Sequence, residues 1–111
     1  MNSVILVGRP TADPTTRQAG DHAVVRFRLA VENRAEQAPT YVDVDSWGGH
    51  CDAVARYLTQ GRLVAVAGRL SQSEWADDDG RRHERHYVTA ASVDFLDRPD
   101  GRGARTAPAG A

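Results

Sequence analysis

Along most of this chain hydrophobic and polar residues alternate with a period of two, which puts successive strand side chains on opposite faces. The clearest case is residues 24–31, where Val25, Phe27, Leu29 and Val31 fall on one face and Val24, Arg26, Arg28 and Ala30 on the other. Residues 40–47 alternate as well, with Val42, Val44 and Ser46 opposed to Tyr41, Asp43, Asp45 and Trp47. Two large aromatics therefore lie on an otherwise polar face. The period then changes. Cys51, Val54, Ala55 and Leu58 recur at i, i+3, i+4 and i+7, and Gly61 stands where a left-handed C-terminal cap belongs. This predicts one short helix of about three turns. Val64, Val66, Gly68 and Leu70 then alternate with Leu63, Ala65, Ala67 and Arg69, so a further strand follows at once.

The flanking segments fit around this unit. Val4-Ile5-Leu6-Val7 before Gly8 is apolar without a helical period and predicts a buried strand ending at a glycine bend. Pro10 and Pro14 bracket a turn-rich connection, and Ala19-Gly20-Asp21 is a tight turn. After Leu70 a polar segment carries Trp75, Asp79-Gly80 gives a hairpin signal, and a return segment rich in arginine and histidine leads into a last strand over 87–96. Strand, short helix, strand in the second half of a small chain predicts an all-β, five-stranded barrel with one short helix at its end. That is the oligonucleotide-binding (OB) fold, here with a protruding hairpin. The expected organisation is one domain over residues 1–97 and a flexible tail over 98–111, which has Pro, Gly and Ala but no large apolar residue.

Composition narrows the classes. With 111 residues, 41% hydrophobic and 26% charged, the chain has room for a single domain and is neither wholly disordered nor a membrane protein. No apolar run approaches a bilayer span, and MNSVILVGRP lacks signal-peptide character, so a cytoplasmic, nucleoid-associated location is expected. The lone Cys51 cannot form an internal disulfide and is expected as a buried thiol. All 14 basic residues are arginine, against 15 acids and a net charge of −1. Residues 1–97 hold 11 arginines and 14 acids, a net of −3, so bulk charge carries no nucleic-acid signal.

The candidate chemistry is local. Trp75 lies among Ser, Gln, Asp and Arg on the strand face of Arg69, and an aromatic beside arginines is a stacking platform for single strands. Packing against a neighbouring subunit or over the barrel is the alternative. Trp47 and Tyr41 share the outer face of the third expected strand, where a subunit interface or loop cover is nearly as good a reading. Arg26, Arg28, Arg34, Arg69, Arg81, Arg82 and Arg85 are candidates for tracking a phosphate backbone. His83 and His86 invite a metal reading, but no further ligands complete a tetrahedral set, and Asp77-Asp78-Asp79-Gly80 lacks the rest of a calcium loop. No metal, no cofactor and no catalytic constellation is expected.

Three segments, MNSVILVGRPTADPTTR, VVRFRLAVENR and DAVARYLTQGRLVAVAGRLSQSEWADDDG, resemble in order and spacing the bacterial single-stranded-DNA-binding proteins, over about residues 1–96. The resemblance implies an OB fold, usually a homotetramer, that wraps exposed single strands in replication, recombination and repair. It aligns Trp75, Trp47 and Tyr41 with the family's base-stacking aromatics and Arg17 with a basic residue of its DNA path.

The chain also departs from that pattern. Ala35 replaces an aromatic, Ser71-Gln72-Ser73-Glu74 replaces a basic cluster, and Asp43 and Asp45 stand on the presumed binding face. The long tail with an acidic tip is absent, so tail-mediated partner recruitment is not expected. The partners expected are single-stranded DNA and further copies of the chain, tetramer favoured over dimer, with the apolar strand at residues 2–7 pairing with its copy. Asp43 and Asp45 are expected to point outward, to reduce affinity and to be dispensable for the core. The competing reading is an OB module kept for protein–protein association. A continuous arginine path past Trp75 and Trp47 separates the two.

Overall fold

The computed structural model describes residues 1–35, 37–48 and 51–96. Its elements are β1 (Val4–Pro10), β2 (Thr15–Ala19), β3 (His22–Val31), β4 (Thr40–Trp47), α1 (Cys51–Tyr57), β5 (Val64–Ala76) and β6 (Arg82–Phe95). The strands pair in the order β1-β5-β6-β4-β3-β2, and a further β1–β3 pairing closes five of them into a ring. This is the expected OB barrel. The expected tail, residues 98–111, and the Cys51 thiol lie outside the described residues.

Alternation fills the barrel. Val25, Phe27 and Leu29 from β3, Val44 from β4, Val64 and Val66 from β5, and Val88, Val93 and Phe95 from β6 form one buried cluster. Val54 and Leu58 enter it from the helical segment, and burying each such side chain contributes about 1.5–3 kcal/mol. Gly8 closes the ring, since it opposes Val31 on β3 and Val64 on β5 at once. A Cβ there would collide with the Ala30 carbonyl oxygen, so only glycine lets the strands cross. Between Ala67 and Gly68 the β5–β6 ladder shifts register. Such a bulge bends a long strand pair. From the Ser71–Tyr87 rung, past the last pairing of β6 with β4 at Val88, β5 and β6 continue as a two-stranded arm to Ala76 and Arg82.

Several expectations need correction. The helix has 7 residues rather than about three turns. The Leu58 N–H still bonds the Val54 carbonyl at 3.0 Å, so Leu58 reaches the core just past the helix end. Gly61 does adopt a left-handed φ of 83°, but within a separate turn in which the Arg62 N–H bonds the Thr59 carbonyl at 3.1 Å. β1 is not a buried strand: Ile5 and Val7 point outward, 74% and 49% exposed. The Thr15–Ala19 segment, expected as connection only, is a strand on the edge of β3.

Candidate nucleic-acid interface

Residues opposed in register lie on one face of a sheet, so the pairing builds the outer face rung by rung. Arg17 opposes Val24, and Val24 opposes Trp47. Thr15, Arg26, Asp45, Thr89 and Arg69 form the next row across five strands. Arg28 opposes Asp43, and Ala30 opposes Tyr41. On the arm, Ser71 faces Tyr87, Ser73 faces Arg85, and Trp75 faces His83. Eight of the eleven sequence-predicted site residues thus share one face: Trp75, Trp47, Tyr41, Arg17, Arg26, Arg28, Arg69 and Arg85. The other three do not. Arg82 opposes Ala76 and points to the other side of the arm, Arg81 belongs to the arm's tip, and Arg34 lies in the β3–β4 loop.

Ion pairs divide this face. Asp45 is only 3% exposed and takes Arg26 in a two-pronged bond, Nε to Oδ1 at 2.6 Å and Nη2 to Oδ2 at 2.8 Å. That bond holds the Arg26 guanidinium above its ordinary pKa against the opposing effect of burial. Asp43 lies 3.7 Å from Arg28 and 3.4 Å from Arg85. The expectation that Asp45 points into solvent and is dispensable is therefore wrong. Alternation gave its face correctly, but Arg26 on the neighbouring strand covers it. Arg17, Arg34, Arg69 and Arg81 form no ion pair with an acid among the described residues. Arg82 pairs with Glu74 at 3.7 Å, both well exposed, which contributes little.

The aromatics differ in setting. Trp75 is 48% exposed near the arm's end and Trp47 is 37% exposed at the far end of β4. Tyr41 is half exposed beneath the Arg28 guanidinium, 5.3 Å from the ring centre. Two neighbours escaped the sequence reading. Tyr87, which carries the Arg85 guanidinium at 4.5 Å, lies between the arm and β4, and His83 stacks on Trp75 with ring centres 5.5 Å apart. Strand alternation from Val88 and centring the hairpin on Asp79 would have found both.

At the tip, Asp77 is more than a solvated acid. Its Oδ1 accepts the N–H groups of Asp79 (3.0 Å) and Arg81 (2.9 Å), while Oδ2 lies 2.7 Å from His83 Nε2. The His83 bond first, then those from the Arg81 and Asp79 backbone, holds the Asp77 carboxyl below its ordinary pKa. The tip stabilisation it supplies is present above the ordinary carboxylate range and is lost as pH falls through the lowered value. His83 and His86 lie on opposite faces because three residues along a strand invert the side. No group of three metal-ligating side chains occurs among the described residues, and no described helix is long and apolar enough to cross a membrane.

The chain matches the single-strand binding protein family model over residues 1–96, the span of barrel and arm together. The chain belongs to the single-strand binding protein family. Family relatives extend the match. A single-stranded DNA-binding protein of Caldanaerobacter subterraneus subsp. tengcongensis is 37% identical over 97% of this chain and 76% of its own length. One of Bacillus cereus is 40% identical over 93% of this chain and 64% of its own. Single-stranded DNA-binding protein 1 of Clostridium acetobutylicum is 35% identical over 87% of this chain and 94% of its own.

Proposed function

We propose that this protein binds single-stranded DNA without catalysis, stacking bases on Trp75, Tyr41 and Trp47 and pairing phosphates with arginines of the same face. One observation carries the reading. Over the rungs from Arg17 and Trp47 to Trp75, the outer face holds Arg17, Arg26, Arg28, Arg69 and Arg85 against Asp43 and Asp45, with Asp77 engaged by His83 at the arm's tip and Asp94 farther along β6. A body of net charge −3 over residues 1–97 thus turns a cationic side to a strand, interleaved with exposed aromatics. The names of the relatives support the same ligand. From the Trp75–His83 rung to the Thr89 rung is about 20 Å along β6, and Trp47 lies two residues further along β4. That length suits the few nucleotides an OB fold covers, roughly 4–16.

The arginines divide the work. Arg17 and Arg69 meet phosphates directly, while Arg28 and Arg85 exchange Asp43 for a phosphate when the strand arrives. Arg26 stays with Asp45 and serves the framework. The protein acts as a homo-oligomer, tetramer favoured, on single strands exposed in replication, recombination or repair at the cytoplasmic nucleoid. Support for assembly comes from β1. Over residues 4–7 it pairs only with β5, and its pairing with β3 begins at Gly8, so its other edge is open beside outward Ile5 and Val7.

Titration with a dT oligomer while following tryptophan emission tests the binding. Emission falls on saturation with dT and not with duplex of the same length; unchanged emission with saturating oligomer would refute the stacking. Light scattering tests the assembly: a species of several 12.1 kDa chains is expected at micromolar concentration, and monomer alone contradicts it.

A further inference from the structure

We propose that His83 and Asp77 are positioning residues of the single-strand site: Asp77 holds the His83 imidazole against one face of Trp75, which leaves the indole a fixed, one-sided platform. The inference rests on the single-strand reading and adds residues and geometry to it.

The hairpin builds this arrangement. The Gly80 N–H bonds the Asp77 carbonyl at 3.0 Å, and the Asp77 N–H bonds the Arg81 carbonyl at 2.9 Å, with Gly80 at φ 80°. This is a turn followed by a left-handed glycine, which centres the hairpin on Asp79 and sets Trp75 opposite His83. The two rings are 22° from parallel with centres 5.5 Å apart, an offset stack. An indole at the end of a two-stranded arm otherwise has free rotamers to lose on binding, and a backing ring removes that cost in advance. The outer indole face stays open for a base.

Asp77 fixes the imidazole. A carboxylate only accepts, so His83 Nε2 at 2.7 Å from Oδ2 must be the N–H. The carboxylate is itself held by the Asp79 and Arg81 N–H groups at 3.0 and 2.9 Å, so the ring is tied to the turn rather than to a free side chain.

The test uses the full chain carrying Trp47→Phe, so that Trp75 is the only tryptophan. Without DNA, the emission anisotropy of Trp75 is expected to fall in the further variant His83→Ala, which frees the indole, and to stay near the parent value in His83→Phe, which keeps a backing ring. Equal anisotropy in parent and His83→Ala overturns the ring pair whatever the protein binds. Titrations with a dT oligomer follow. His83→Ala is expected to bind about twofold to tenfold more weakly than the parent, the scale of one side chain that must be fixed on binding, and His83→Phe to restore most of the loss. Equal affinity in parent, His83→Ala and His83→Phe overturns this inference alone and leaves the single-strand reading standing. Absence of dT binding in every variant and in the unmodified chain overturns the single-strand reading and this inference with it.

Discussion

Along β5, Arg69 at the base of the arm and Trp75 near its end face outward, and neither is bonded to an acid among the described residues. On β3 and β4 of the same face, Arg26 is locked to a buried Asp45 and Arg28 shares Asp43 with Arg85. The two regions hold similar residue types, arginine and aromatic, and commit them differently. Where an arginine is bonded in two prongs to a buried carboxylate, it belongs to the fold. Where it stands exposed on the same face as a ring, with no acid paired to it among the described residues, it is available to a phosphate. Availability, and not the number of arginines, separates a nucleic-acid surface from a salt-bridged sheet.

The largest effect expected is on the arm. Trp75→Ala should weaken dT binding by about 1–3 kcal/mol while leaving the thermal transition unchanged, because the ring packs on His83 and not in the core. Asp45→Asn should act on the other region and on the other observable. Loss of the two-pronged bond should lower unfolding free energy by about 2 kcal/mol in denaturant titration, with no gain in affinity, since Arg26 is then left partly buried. Asp43→Asn comes next in size. It releases Arg28 and Arg85, so binding should tighten a few-fold and the salt dependence steepen, with a stability change of under about 1 kcal/mol. If Asp45→Asn tightened binding as much as Asp43→Asn, the distinction between framework and available arginines would fail. The smallest effect concerns Ser46, fully buried with an Oγ that has no hydrogen-bond partner among the described residues. Ser46→Ala should be neutral or stabilising by up to about 1 kcal/mol, read from the shift of the denaturant midpoint.

These particulars show what alternation carries and what it omits. Val25, Phe27, Leu29 and Val44 are legible as core because a period of two with one apolar face has only one way to pack. Val24 shows the omission: it stands on the outer face and is nevertheless buried. Asp45 shows it again, because period tells the face of a side chain and says nothing of the neighbour that covers it. Arg26 becomes its partner only through the β3–β4 register. β2 was illegible since Thr15-Thr16-Arg17-Gln18-Ala19 is an edge strand with no apolar face. Ile5 and Val7 misled in the opposite way. A continuous apolar run implies burial on both sides, and one chain supplies only one of them. Trp75 and Arg69 were placed on one face correctly, because the extra residue of the bulge, Ala91, belongs to β6 and β5 runs regularly between them.

The most direct test of the central claim is the salt dependence of dT binding by the unmodified protein, followed by tryptophan emission. With Arg17 and Arg69 meeting phosphates and Arg28 and Arg85 doing so in part, emission should be quenched, and the log–log slope should be about −1.5 to −2 per subunit. Quenching with a slope near zero would mean that the arginines of this face do not meet the backbone, and unchanged emission with a steep slope would mean that the strand runs elsewhere on the barrel; either result contradicts the account.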